Sequence, residues 1–366
     1  MFERKLLRDF DWSLLLLALL LTLCGLVLIH SATGGADRWL YVRKQVLWLG
    51  FGVVGLGLLA YLDYGRLARW HAPIYGVTLL LLLTVACLGH TAMGATRWLN
   101  LGGFRLQPSE FAKLGLIVTL AALFARRLDQ RSHPSTLLRS VGHFGAPVLL
   151  VFFQPDLGTA LVLLALWLGM SLAAGVRGAH LAAVMGVIVV LCAGVWQTGL
   201  IKPYQRARLA SFINPNADPL GAGYHINQSR IAIGSGGLFG SGLLRGHQGR
   251  LHYIPEQRTD FIFTVVGEEA GFIGSVGLLG IYLLLVLRLL KIALRAKDEL
   301  GLIMGAGVAT MIAFQVLVNV GMTLGVMPIT GIPLPFLSYG GSSLLTSFMA
   351  LGLVLSISMR QRKIIF

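Results

Sequence analysis

The sequence predicts an all-α polytopic membrane protein. About ten transmembrane helices, both termini cytoplasmic and one large extracytoplasmic loop at about 198–263 form a single domain over 1–366. Three observations lead there. Of 366 residues, 56% are hydrophobic and 12% charged, and mean hydropathy is +0.77, more apolar surface than a water-soluble domain can hide. Apolar runs of about 17–25 residues recur, without the alternation of a membrane β-barrel. Basic residues are also distributed unevenly between the loops.

The runs fall near 12–31, 45–62, 72–89, 109–126, 141–155, 157–175, 179–197, 264–290, 301–326 and 342–359. The first begins at Trp12 behind Arg4, Lys5 and Arg8. It starts like a secretory signal but runs on to Ile29 with more spans behind it, so it is read as a retained helix. The fifth run is short, and the eighth is long enough to tilt or to include an interfacial piece. Loops on the N-terminal side carry Arg66, Arg69, Arg126, Arg127, Arg131, Arg139, Arg177, Arg288, Lys291, Arg295 and Lys297. The short loops opposite hold only Arg38, Arg43, Lys44, Arg97 and Arg105. This bias puts both termini in the cytoplasm and explains most of the net charge of +15, so nucleic-acid binding is not inferred. Cys24, Cys87 and Cys192 lie in apolar runs with no metal or redox spacing.

The remaining polar clusters gather on the outer side. They are Thr96-Arg97-Trp98-Leu99-Asn100, Gln107-Pro108-Ser109-Glu110 with Lys113, Gln154-Pro155-Asp156, the long loop, and Pro333 to Ser343. Each has a plain structural reading. Ser109, Asp156 and Thr259-Asp260 can cap helices, Glu110 and Lys113 form an i,i+3 pair, and Trp98 suits an interfacial belt. Ionisable groups at membrane depth are costly and usually face a cavity or a partner, which singles out Glu110, Lys113, Glu268 and Glu269.

In the long loop, Lys202 to Arg208 is basic and aromatic, and Tyr224 to Ile233 fits a short amphipathic helix. Gly234 to Gly242 fits neither phosphate-loop nor dinucleotide spacing and reads as a bend or a close approach to a ligand. Lys202, Arg206, Arg208, Arg230, Arg245, Arg250 and Arg258 outnumber Asp218, Glu256 and Asp260. Such a vestibule suits an anionic, phosphorylated lipid-linked substrate. His-Glu-x-x-His, Ser-x-x-Lys and Gly-x-Ser-x-Gly motifs are absent, which argues against a zinc hydrolase and against covalent acyl transfer.

Together, Arg97-Trp98-Leu-Asn, Gln107-Pro-Ser-Glu110-Phe-Ala-Lys113, Gln154-Pro-Asp156-Leu-Gly, Gly223-Tyr-His-Ile-Asn-Gln228-Ser229, Ile233-Gly-Ser-Gly-Gly, Thr259-Asp260-Phe-Ile-Phe with Glu268-Glu269, and Leu334-Pro-Phe-Leu-Ser338-Tyr-Gly-Gly-Ser-Ser343 resemble the SEDS family of shape, elongation, division and sporulation proteins. The resemblance covers about 250 residues in order. It implies a peptidoglycan glycosyltransferase that polymerises lipid II at the outer face of the bacterial inner membrane, and it favours the branch serving elongation and rod shape over the septal branch. Asp260 would be catalytic. Arg97, Trp98, Glu110, Lys113, Asp156, Arg206, Arg208, Gln228, Ser229 and Ser338 would bind substrate or support the site. No resident cofactor is implied, though a divalent cation, magnesium or manganese, would assist diphosphate departure. Implied partners are a class B penicillin-binding protein transpeptidase, membrane lipids and the elongation machinery. A flippase for the same lipid is the main rival, and a non-catalytic scaffold is the next. A transporter, however, should place ionisable groups near the bilayer midplane in broken or repeated helices.

Overall fold

The structure is a computed structural model describing residues 9–33, 37–92, 95–101, 104–130, 133–197, 210–212, 222–246 and 256–361. Its helices are α1 Trp12–Ala32, α2 Arg38–Tyr61, α3 Tyr64–Arg69, α4 His71–Leu88, α5 Pro108–Ala125, α6 Pro134–Phe153, α7 Leu157–Ala173, α8 Gly178–Gln197, α9 Ala222–Ser235, α10 Ile262–Leu294, α11 Glu299–Thr323 and α12 Gly341–Ser358. Apart from the short α3 and α9, each coincides with one expected run. Seven of them, α1, α2, α5, α6, α10, α11 and α12, are long and apolar enough to cross a membrane. Helix α6 starts earlier than its apolar run. Pro134 opens it with φ preset for a first turn, and His133 accepts from the Ser135 amide.

Aspartates set several other starts. Asp11 accepts from the Leu14 amide at 3.1 Å, Asp63 from Gly65 at 2.9 Å and Asp298 from Gly301 at 2.9 Å, each satisfying an orphan donor. Helices α5, α11 and α12 form the centre and are buried along most of their length. Helix α12 packs along α2, and α11 lies against α7 and α10. The outer helices keep apolar stripes exposed, such as Leu16, Leu20, Leu23 and Val27 on α1. In a membrane those stripes meet lipid.

The second outer loop departs from the all-helical expectation. It folds as an antiparallel sheet, β1 His90–Ala92, β2 Ala95–Leu101 and β3 Phe104–Leu106, with His90 opposite Trp98 and Asn100 opposite Arg105. Strands this short leave too little alternation for the sequence to declare them.

Helix α10 is also interrupted. Gly271 has φ +64° and ψ −161°, a conformation open essentially to glycine alone. The segment from Gly236 to Gly242 splints the break. The Ser241 and Gly242 amides donate to the Glu268 and Glu269 carbonyls at 2.9 and 3.1 Å. The Phe272 and Ile273 amides return to the Gly237 and Leu238 carbonyls at 2.9 and 3.1 Å. The glycine run, expected to bend or to approach a ligand, instead packs backbone to backbone against a broken helix of its own chain.

Candidate active site

Asp260 lies in the turn leading into α10, half-buried. Its amide donates to the Glu256 carbonyl at 3.1 Å. Its own carbonyl accepts from Asn319 Nδ2 at 2.8 Å, and the same amide group donates to the Ile332 carbonyl at 2.7 Å. Asn319 is fully buried in α11, so one side-chain amide pins the Asp260 backbone to the 327–340 loop. Between them, Gly331 has φ +72°, and a Cβ on it would sit 3.3 Å from Asp260 Oδ2. Neither Thr259 nor Asp260 caps α10. Phe261 holds the cap position without a side-chain bond, and Thr259 Oγ1 lies 3.1 Å from Glu256 Oε2.

A second acid anchors the neighbouring wall. Asp156 caps α7 by accepting from the Thr159 amide at 3.3 Å. It also gathers Thr159 Oγ1 at 2.9 Å, Gln107 Nε2 at 3.2 Å, Ser109 Oγ at 3.3 Å and Arg97 Nη1 at 3.7 Å. Arg97 Nη2 donates to the Pro155 carbonyl as well. The capping role read from sequence and the clustering role therefore coincide on one buried carboxylate. Ser109 does not cap α5, where Gln107 occupies the cap position without a side-chain bond.

Close contacts join the two walls. A Cβ at Gly158 would lie 2.6 Å from the Thr330 carbonyl, so the start of α7 abuts the loop beneath Asp260. The Gln107 amide donates to Ser342 Oγ at 3.0 Å, and the Tyr339 amide donates to the Arg258 carbonyl at 2.9 Å. Loops distant in sequence thus converge at one end of the bundle.

Glu110 and Lys113 form a buried ion pair, with Lys113 Nζ 2.8 Å from both carboxylate oxygens and each residue at most 3% exposed. Thr346 Oγ1 of α12 lies 3.1 Å from Glu110 Oε2. The Lys113 charge is directed at Glu110, within the wall.

The other expected residues occupy varied places. Trp98 sits half-buried on β2 beside Arg97. Gln228 is half-buried on α9, and Ser229 donates to the Thr323 carbonyl at 2.6 Å, docking α9 on the end of α11. Ser338 Oγ accepts from the Leu334 amide at 2.9 Å and closes its own turn. Arg206 and Arg208 lie outside the described residues. Glu268 and Glu269 are both buried where the glycine segment crosses α10, and Ser31 of α1 donates to Glu269.

Sequence reasoning did not single out Asn319 or Gly331, and it named Arg258 and Arg105 only among the basic residues of their loops. The Arg258 guanidinium stacks 3.9 Å over the Tyr41 ring. Burial pushes the Tyr339 phenol up, and the Tyr41 phenol adds to this; Arg258 and Arg105 pull it back. An asparagine inside an apolar run was the available signal for Asn319; Gly331 carried none. Among the described residues no three His, Cys, Asp or Glu side chains converge into a ready-made metal site.

Fold and site define a polytopic helical membrane protein with an acid-centred site at one end of its bundle. The "Cell cycle protein" family model, which groups FtsW, RodA and SpoVE, matches residues 11–363, and the chain belongs to this family. Among curated relatives it is 37% identical over 362 residues to the probable peptidoglycan glycosyltransferase FtsW of Geobacter sp. (strain M18), covering 96% of this chain and 98% of the relative. It is 39% identical over 351 residues to the peptidoglycan glycosyltransferase MrdB of Escherichia coli (strain K12), covering 95% and 93%. Its fold matches a chain of a peptidoglycan synthase complex that coordinates polymerization and crosslinking, with TM-score 0.82, 36% identity and 95% and 97% coverage. It also matches the rod shape determining protein RodA of Thermus thermophilus, with TM-score 0.71, 33% identity and 97% and 98% coverage.

Proposed function

We propose that the chain is a peptidoglycan glycosyltransferase that polymerises lipid II at the outer face of the bacterial inner membrane. The observation that carries this reading is the half-buried Asp260, its carboxylate against Gly331 and its backbone pinned through Asn319 in the turn that also holds Arg258. Family membership and the names of the relatives support the reaction class.

Asp260 acts as general base. It accepts the proton of the acceptor's N-acetylglucosamine 4-hydroxyl as that oxygen bonds to the donor's N-acetylmuramic acid anomeric carbon. The bond from that carbon to the diphosphate oxygen breaks with inversion, and undecaprenyl diphosphate leaves. A stable diphosphate anion needs no second carboxylic acid to protonate it, unlike the leaving oxygen of a glycosidase. Arginines around the turn offset its charge. The divalent ion expected from the resemblance is left as a separate proposal, tested by chelator titration.

The crosslinking partner is inferred to be a class B penicillin-binding protein. This chain lacks Ser-x-x-Lys, and one structural match is a synthase complex. Relatives of both branches match at nearly equal identity, so the elongation role rests on a separate test: depletion should cost rod shape, whereas filaments of normal width would assign the chain to the septum.

The central test uses purified chain, lipid II and Asp260→Ala. Base catalysis is worth about 10²–10⁴-fold, so polymerisation should fall at least a hundredfold while the variant stays folded. Wild-type rates from Asp260→Ala would remove the assignment.

A further inference from the structure

The far end of α5 from Glu110 opens onto a second polar cavity. Helix α5 has 18 residues, about 27 Å of helix, so this cavity lies roughly a bilayer thickness from the Asp260 face. Its volume is about 590 Å³ and its lining includes His71, Thr119, Arg126, Arg127, Asp129 and Arg139. Three guanidiniums therefore meet one carboxylate among the described lining side chains. The ion pairs found among the described residues, Arg97–Asp156, Lys113–Glu110 and Arg288–Asp11, involve none of the three.

The histidine holds one of the arginines. Arg126 Nη1 lies 2.9 Å from His71 Nε2. Arginine can only donate, so Nε2 accepts and the ring proton sits on Nδ1. That nitrogen is buried and has no hydrogen-bond partner among the described residues. Three guanidiniums beside a single carboxylate give the lining a net positive charge that an anion completes. Trp70 and Leu138, chain neighbours of lining residues His71 and Arg139, are 66% and 73% exposed, so apolar surface borders the cavity. The other basic cavity at this end differs. About 420 Å³ in volume, it contains Asp9 and Asp11 beside Arg288, Lys291 and Arg295, and Asp11 already pairs with Arg288 at 2.8 Å.

We propose that the cavity between the start of α4, the end of α5 and the start of α6 binds the headgroup phosphate of an anionic phospholipid of the cytoplasmic leaflet. The phosphate sits among Arg126, Arg127 and Arg139, with Arg126 held by its contact to His71, while the acyl chains follow the exposed apolar surface outward. The leaflet assignment rests on the orientation read from the basic loops. The binding itself does not depend on the polymerase reading.

The test is native mass spectrometry of the purified full chain titrated with dioleoylphosphatidylglycerol and dioleoylphosphatidylcholine. Wild type should retain one phosphatidylglycerol about tenfold or more tightly than phosphatidylcholine. A triple Arg126→Ala, Arg127→Ala, Arg139→Ala variant should bind the two lipids within about twofold of each other, and Lys291→Ala with Arg295→Ala should keep the wild-type preference. If the triple variant loses its monodisperse elution, the single Arg139→Ala variant, at an exposed position, should still lose part of the preference. Unchanged preference in the folded variants overturns the proposal. So does displacement of the lipid by an equal concentration of inorganic phosphate or glycerol phosphate, which would make the ligand a soluble phosphate. No polymerisation is read, so failure here and failure of the Asp260 assignment remain distinguishable.

Discussion

At the scale of single residues, the site depends on groups that never touch sugar. Asn319 holds two carbonyls with one amide, and its deletion frees both from inside the protein. Asn319→Ala should cost about 1–3 kcal/mol of stability and lower the polymerisation rate while leaving Asp260 in place. A thermal melt and a lipid II assay together check it, and an unchanged rate would detach Asn319 from the site. Gly331→Ala asks more of the backbone, because it adds a Cβ at φ +72° and presses it within 3.3 Å of the Asp260 carboxylate. It should cost about 1–2 kcal/mol and reduce turnover more than lipid II binding, which a split between kcat and KM would reveal. For Glu110 and Lys113, removing one partner leaves a buried charge unpaired. Either single alanine substitution should destabilise by about 3–5 kcal/mol, and an apolar replacement of both by less. Equal loss in all three would give the pair a direct part in the chemistry. Asp260, Asp156 and the Glu110–Lys113 pair were legible in the sequence because charge in an apolar chain demands a reason. Asn319 and Gly331 were not, because their importance arises only when α11 and the 327–340 loop arrive beside residue 260.

Among the elements, helices were readable where long apolar runs set them, and their starts were adjusted by Pro134 and the capping aspartates. The sheet at 90–106 was hidden because pairing across a hairpin, not periodicity, creates it. The interruption of α10 was hidden for another reason: a glycine inside an apolar run looks the same whether its helix continues or breaks. Gly271→Ala should be severe. The added Cβ would meet the Gly240 amide, stand 2.8 Å from the Leu238 carbonyl and be held at φ +64°. A loss of about 2–4 kcal/mol is expected, seen as a lower melting temperature, whereas Gly277→Ala in the regular part of the same helix should be nearly neutral.

For the molecule as a whole, the two ends of the bundle carry different chemistry. The Asp260 end gathers loops around carboxylates, and the other end is basic with a few capped turns. One of those turns gives a pH signature. Tyr64 donates to Asp298 at 3.1 Å, and burial together with that carboxylate raises its phenol well above the ordinary range. The folded protein keeps this proton while an unfolded tyrosine releases it near pH 10. Above that pH the unfolded state binds fewer protons, so stability falls as pH rises. Melting temperatures between pH 8.5 and 11 should show the decline, and Tyr64→Phe should flatten it. An identical slope in the variant would assign the alkaline loss to other groups.

The splint across the break in α10 bears on how the chain is built. Residues 236–242 leave the ribosome before residues 268–273, so the donors for the two interrupted carbonyls are made ahead of the helix that needs them. A helix broken in lipid would otherwise wait with bare peptide groups, each costing several kcal/mol. The splint is made before α10, and a circular permutant that places 222–246 after α10 should insert poorly even though every native contact could still form, which a membrane-insertion assay would show.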